Sequence, residues 1–182
     1  MTALALIRHG PTAWTETRRI QGRSDPGLSV AGRARVSKWR APPEVDGFIW
    51  ASSPLKRANE TARLLHGDGV VAEPSLIEMD WGSWEGRSLD DLRGELGDAM
   101  AENEARGLDF TPAGGESPRQ VQGRLQNWLS AVAASGQATV GVTHKGVIRA
   151  MLSLATGWDM TIPPPIRLDW ASAHMFRLDN HG

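Results

Sequence analysis

The sequence predicts an α/β fold, a three-layer α/β/α sandwich around a mostly parallel central sheet, in a single domain over residues 1–182. Three observations carry this. Short apolar runs, Ala3-Leu4-Ala5-Leu6-Ile7, Phe48-Ile49-Trp50-Ala51 and Ala138-Thr139-Val140-Gly141-Val142-Thr143, read as strands buried on both faces. Segments with helix-start chemistry lie between them. Strands that alternate with helices form a parallel sheet covered on both sides. A chain of 182 residues, 40% hydrophobic and 23% charged, is long enough for one such core.

The elements follow in order. Ala3 to Ile7 is the first strand, and the polar, glycine-containing stretch from Arg18 to Gly27 is a loop. Ser29 caps a helix expected from about Val30 to Arg40, which Pro42-Pro43 stops. Phe48 to Ala51 is the second strand. Ser53 followed by Pro54 reads as a cap with proline at the first helical position, opening a helix to about His66 that Gly67-Asp68-Gly69 breaks. Val70 to Ala72 is a short strand, and Glu78 to Gly86 is irregular and rich in tryptophan and glycine. A helix is expected from near Ser88 toward Arg106, interrupted around Gly94 and Gly97, and Thr111 to Gly115 is a loop. Ser117-Pro118-Arg119-Gln120 is a capping box that starts a helix to about Ala134. Ala138 to Thr143 is a strand, Gly146 to Ala155 a helix, Pro163-Pro164-Pro165 a stiff connector, and Trp170 to Leu178 a last strand.

Composition excludes several functions. The formal net charge of -1 argues against a broad nucleic-acid surface. The absence of cysteine removes thiolate catalysis, disulfides and cysteine-ligated zinc. The first residues lack a basic leader and no apolar stretch is long enough for a bilayer, so no membrane role and a cytoplasmic location are expected.

In open parallel sheets, ligands bind beyond the carboxyl ends of the strands. Arg8, His9, Ser53 and His144 fall at such ends, and Arg57 lies one turn into the following helix. Two guanidinium groups can each give paired hydrogen bonds to phosphate oxygens. An imidazole can attack phosphorus when it is neutral, and neighbouring guanidinium charge keeps it so. His9 beside Arg8 suits the nucleophile, with His144 binding an equatorial oxygen. A leaving alkoxide needs a proton, which a carboxylic acid near a phosphate can hold. Glu78 is the candidate, with Asp80 and Glu85 on the same loop as competitors that spacing does not separate.

Five ordered segments resemble the histidine phosphatase superfamily, the phosphoglycerate mutase-like fold. They are Leu6-Ile7-Arg8-His9-Gly10-Pro11-Thr12, Ser52-Ser53-Pro54-Leu55-Lys56-Arg57-Ala58-Asn59-Glu60-Thr61-Ala62, Glu78-Met79-Asp80-Trp81-Gly82-Ser83-Trp84-Glu85-Gly86, Gly114-Gly115-Glu116-Ser117, and Val142-Thr143-His144-Lys145-Gly146-Val147-Ile148-Arg149. The resemblance implies that His9 is phosphorylated, that Arg8, Arg57 and His144 hold the phosphate, that Glu78 is the acid/base, and that no metal or other cofactor is needed. It also places Thr15, Gln21 and Lys145 at the substrate, with Arg23 in a loop that borders it. The sequence departs from the family pattern at three positions. Pro11 and Thr15 stand where glutamate and asparagine are usual, so a hydroxyl replaces an amide donor, and Lys145 stands where glycine is usual.

The tryptophan-glycine loop is similar to that of small phosphatases, including the α-ribazole phosphatase type. Phosphoglycerate mutases of the family carry a longer insertion between the regions of Arg57 and His144, so the short chain points to a metal-independent phosphatase acting on a small phosphorylated metabolite. The alternatives are mutase-type transfer and a non-catalytic phospho-ligand module. A monomer or homodimer is expected. His66, His174 and His181 show no partner pattern and receive no role.

Overall fold

A computed structural model describes residues 1–179, so His181 lies outside the described residues. Five strands form one sheet in the order β3-β2-β4-β1-β5, with β1 Thr2–Arg8, β2 Ile49–Ser52, β3 Val71–Ala72, β4 Thr139–Thr143 and β5 His174–Leu178. Every pairing is parallel except β1 with β5, which is antiparallel. Alternate residues of β1 feed opposite faces, as a period of two requires. Leu4 and Leu6 join the core under helices α6 (Pro118–Ser135) and α7 (Lys145–Thr156). Ala5 and Ile7 join the core on the other face with Ala58 and Ala62 of α3 (Lys56–His66). The three layers expected from the sequence are therefore present.

Several element boundaries differ from expectation. The helix after Ser29 is α2, Val30–Val36, and stops short of Arg40. Its end is tightened by i→i+3 bonds, from Lys38 N–H to Arg35 O and from Trp39 N–H to Val36 O. A short helix not read from the sequence, α1, Ala13–Glu16, sits just after His9. Ser53 does not cap α3: that helix starts at Lys56, whose N–H donates to Asp25 Oδ1 at 2.8 Å from a distant loop. The stretch from Ser88 is two helices, α4 Leu89–Leu96 and α5 Asp98–Glu104, divided at Gly97, whose φ of +51° no ordinary side chain favours. Gly94 lies inside α4 and interrupts nothing. The capping box at Ser117 is formed as expected. Trp170 precedes β5 in a turn and is not in the strand. Among the described residues no helix is long and apolar enough to cross a membrane.

Candidate active site

Sheet register places the floor of the site. His9 N–H donates to Thr143 O at 2.9 Å and Ser53 N–H to Val142 O at 2.9 Å, which continues the ladders of β1 and β2 against β4 by one residue. His9, Ser53 and His144 thus lie side by side at the carboxyl edge of three adjacent strands. The rings of His9 and His144 are 5.1 Å apart.

The His9 ring is oriented from behind. Nδ1 lies 2.7 Å from Gly10 O, a group that can only accept, so Nδ1 carries the proton and Nε2 the lone pair. Burial, then the charges of Arg57 and Arg8, lower its pKa to about 3, so the ring is neutral at physiological pH. His144 is also buried, and burial, followed by His9 and Arg57, holds it well below the ordinary imidazole range. Its Nε2 is 2.7 Å from Ser53 Oγ. A hydroxyl donating to Nε2 leaves the proton on Nδ1.

Arg57 is fully buried at the start of α3. Its terminal nitrogens donate to Ser24 O at 2.8 Å and Gly22 O at 2.6 Å. Glu85 fixes that loop in turn, accepting from Arg23 N–H and Ser24 N–H at 2.7 Å each and from Ser24 Oγ at 2.6 Å. Arg8 is half-buried, with its guanidinium 5.5 Å from the centre of the Trp170 ring. Burial lowers both arginine pKa values, though not to where a guanidinium loses its charge. Three buried polar atoms of this cluster, Arg8 Nε, Arg57 Nε and His144 Nδ1, have no hydrogen-bond partner; a fourth, His174 Nε2, belongs to edge strand β5. Buried donors without partners are rare, and a cluster of them calls for an explanation.

The structure separates the three carboxylates that spacing left tied. Glu78 is buried against the start of α7: Oε1 accepts from Met79 N–H at 2.9 Å and Oε2 lies 3.4 Å from Gly146 N. Burial raises its pKa, and hydrogen bonds and the two arginines only partly offset this. A Cβ at position 146 would stand 2.5 Å from Glu78 Oε1, so only glycine allows this approach. Asp80 instead accepts from Gly82 N–H at 2.8 Å and faces Arg23 at 3.5 Å, and Glu85 is committed to the loop behind Arg57. Arg124 holds the 3-10 turn before Glu78, donating to Ile77 O at 2.6 Å, to Ser75 O, and to Glu116 at 2.9 Å.

The substrate residues expected from the resemblance divide. Thr15 borders the cleft beside His9, and its hydroxyl donates to Thr12 O at 2.9 Å and accepts from Thr12 N–H at 2.8 Å, which closes a capping box. Gln21 accepts from Thr12 Oγ1 at 2.8 Å and lines the cleft. Lys145 is exposed, not simply solvated, since its ammonium stands 5.4 Å over the Trp170 ring. Arg23 is exposed and turned to Asp80 and Glu116.

Two open clefts meet at Arg8 and His9. One, of about 930 Å³, is bounded by Arg35, Trp39, Arg167 and Trp170. The other, of about 650 Å³, is bounded by Gln21, Glu78, Trp81, Phe110, Lys145 and Arg149. The sequence puts Ser53 at this strand end but reads it as a helix cap, and it gives no role to Arg149, the last residue of the fifth motif, or to Trp170, which lies in chain far from the motifs.

Known proteins share this fold. A bifunctional protein of Mycobacterium tuberculosis is 34% identical over 179 residues, covering 94% of this chain and 49% of that protein. The chain thus spans about half the length of this and two other curated mycobacterial relatives. A 2,3-bisphosphoglycerate-dependent phosphoglycerate mutase of Beijerinckia indica is 28% identical, covering 96% of this chain and 91% of the mutase. That coverage corrects one expectation, because chain length does not set this protein apart from a mutase. The solved structure of a mycobacterial glucosyl-3-phosphoglycerate phosphatase with VO3 superposes with a TM-score of 0.80 at 26% identity, covering 96% of this chain and 92% of that one. Residues 4–182 match the sequence profile of the histidine phosphatase superfamily (branch 1), and the chain belongs to that superfamily.

Proposed function

We propose that this protein is a metal-independent phosphatase that hydrolyses a phosphomonoester of a small molecule through a phosphohistidine at His9. The observation that carries the reading is the cluster of unpartnered buried atoms, Arg8 Nε, Arg57 Nε and His144 Nδ1, around an imidazole that is neutral and held with its Nε2 lone pair free. Fixed guanidinium charge and an imidazole N–H stabilise the charge that builds on a transferring phosphoryl group, which is most of the catalytic work.

In the first step Nε2 of His9 forms a bond to phosphorus as the ester P–O bond breaks, and protonated Glu78 gives its proton to the leaving alkoxide. Its raised pKa suits an acid that must hold a proton before substrate is cleaved. In the second step the Glu78 carboxylate takes a proton from water, the water oxygen attacks phosphorus, and the N–P bond breaks to release phosphate and neutral His9. The two clefts that open on His9 support hydrolysis over mutase transfer, since water reaches the phosphohistidine from either side.

The test uses a 32P-labelled alkyl phosphate. Rapid acid-free quenching is expected to trap label on the protein that is acid-labile and alkali-stable, and His9→Gln to remove both label and turnover, by ~10⁴-fold or more. EDTA is expected to leave turnover unchanged. Full turnover in His9→Gln, loss of turnover in EDTA, or isomerised ester without free phosphate overturns the proposal.

A further inference from the structure

The cleft on the Glu78 side carries more positive charge than a phosphoryl group needs. Arg8 and Arg57 already match a phosphate dianion. Lys145 and Arg149 line the same cleft, four residues apart on one face of α7, or about 6 Å along the helix. Among the described residues neither has a carboxylate within ion-pair distance and neither makes a side-chain hydrogen bond. Arg93 in the same cleft is different: Glu104 neutralises it at 2.7 Å.

Both unpaired cations are held in place by aromatic rings. The Arg149 guanidinium lies 4.8 Å from the centre of the Trp158 ring and the Lys145 ammonium 5.4 Å from that of Trp170. Rings hold a cation at fixed position without cancelling its charge, and they leave its N–H groups available. Trp158 is buried and its Nε1 donates to Ile162 O at 2.7 Å, so the platform under Arg149 is rigid. Partial desolvation, then the charges of Arg8 and Arg149, lower the Lys145 pKa, with Glu78 acting in the opposite sense.

We infer that Lys145 and Arg149 form a subsite for a second anionic group of the substrate, a carboxylate or a second phosphate, about one helical turn beyond the phosphoryl position. The inference rests on the reading that the phosphoryl group sits at His9. It makes the substrate class a phosphate ester of an acid or a bisphosphate, and it gives a use to the lysine that stands where the family pattern has glycine. Glu78, an acidic group of this cleft, turns its oxygens to Met79 N–H and Gly146 N at the helix start.

Binding separates this inference from the catalytic one. In the His9→Ala protein, calorimetric titration compares 3-phosphoglycerate with glycerol 3-phosphate, which differ in the carboxylate, and fructose 1,6-bisphosphate with fructose 6-phosphate, which differ in the second phosphate. In at least one pair, the ligand with the second anionic group is expected to bind tighter by roughly 10- to 100-fold. The pair that shows the preference identifies the group recognised. Arg149→Met and Lys145→Met, which keep the aliphatic stems, are expected to bring that ratio near one while glycerol 3-phosphate affinity changes less than about twofold. Arg149→Lys is expected to retain part of the preference, and Arg93→Met all of it. Equal affinities for both pairs in the parent, a ratio unchanged in the methionine variants, or an equal loss in Arg93→Met would overturn the subsite. Absence of turnover in the wild-type protein would overturn the phosphatase reading and leave this binding ratio fully interpretable.

Discussion

The floor of the cleft and its rim are built by opposite rules. On the floor every group is over-determined. His9 is fixed by Gly10 O, His144 by Ser53, Arg57 by two backbone carbonyls, and Glu78 by the start of α7. On the rim, Lys145, Arg149 and Trp170 are partly or largely open to solvent and are held by ring contacts. The difference teaches that reaction chemistry here is written into sheet register, whereas choice of substrate is left to side chains that can change without moving a strand.

Substitutions on the two surfaces should therefore differ in kind. Glu78→Gln gives the largest expected effect of those that keep the nucleophile: kcat on alkyl phosphates falls by about 10²- to 10⁴-fold, and on an aryl phosphate with a good leaving group much less in the burst phase. The wild-type rate on alkyl phosphates should decline as pH rises through the raised Glu78 pKa, because the protonated acid is lost, and the variant should lack that limb. A pH–rate profile in both proteins checks it.

Ser53→Ala comes next. Loss of one buried hydrogen bond to His144 should lower kcat/KM by about tenfold. The 15N shifts of His144 should report a change in tautomer population, while β2 keeps its exchange protection. An unchanged His144 spectrum would make Ser53 a mere packing residue and blur the line between floor and rim. Trp170→Ala gives the smallest effect. Losing its ring contacts to Arg8 and Lys145 should raise KM by about two- to fivefold with kcat nearly constant. A fall in kcat of tenfold or more would show that the rim also takes part in the chemistry.

The same division governs what the sequence reveals. His9 and His144 are legible because each ends an apolar run, and strand ends are a local signal. Arg57 is legible from the helix start around it. Ser53 misleads because a hydroxyl side chain has several partners to choose from, and here a tertiary contact decides. Ser53 turns to His144, and the first N–H of α3 donates to Asp25 instead. Asp80 and Glu85 look equivalent to Glu78 until the loop at Arg23 and Ser24 claims one of them and Gly82 the other. Trp158 and Trp170 carry no motif at all. Their positions depend on how the connector after α7 returns to the sheet, which no window of sequence encodes.

Glu85 has a practical consequence for redesign. The loop it fastens is both the border of the substrate cleft and the backing of Arg57, so graftings that swap residues 22–25 to alter selectivity would also release a guanidinium from its mooring. A protein engineer seeking new substrates should start from Lys145 and Arg149 on the cleft face of α7 and from the turn at Trp170, and leave that loop untouched.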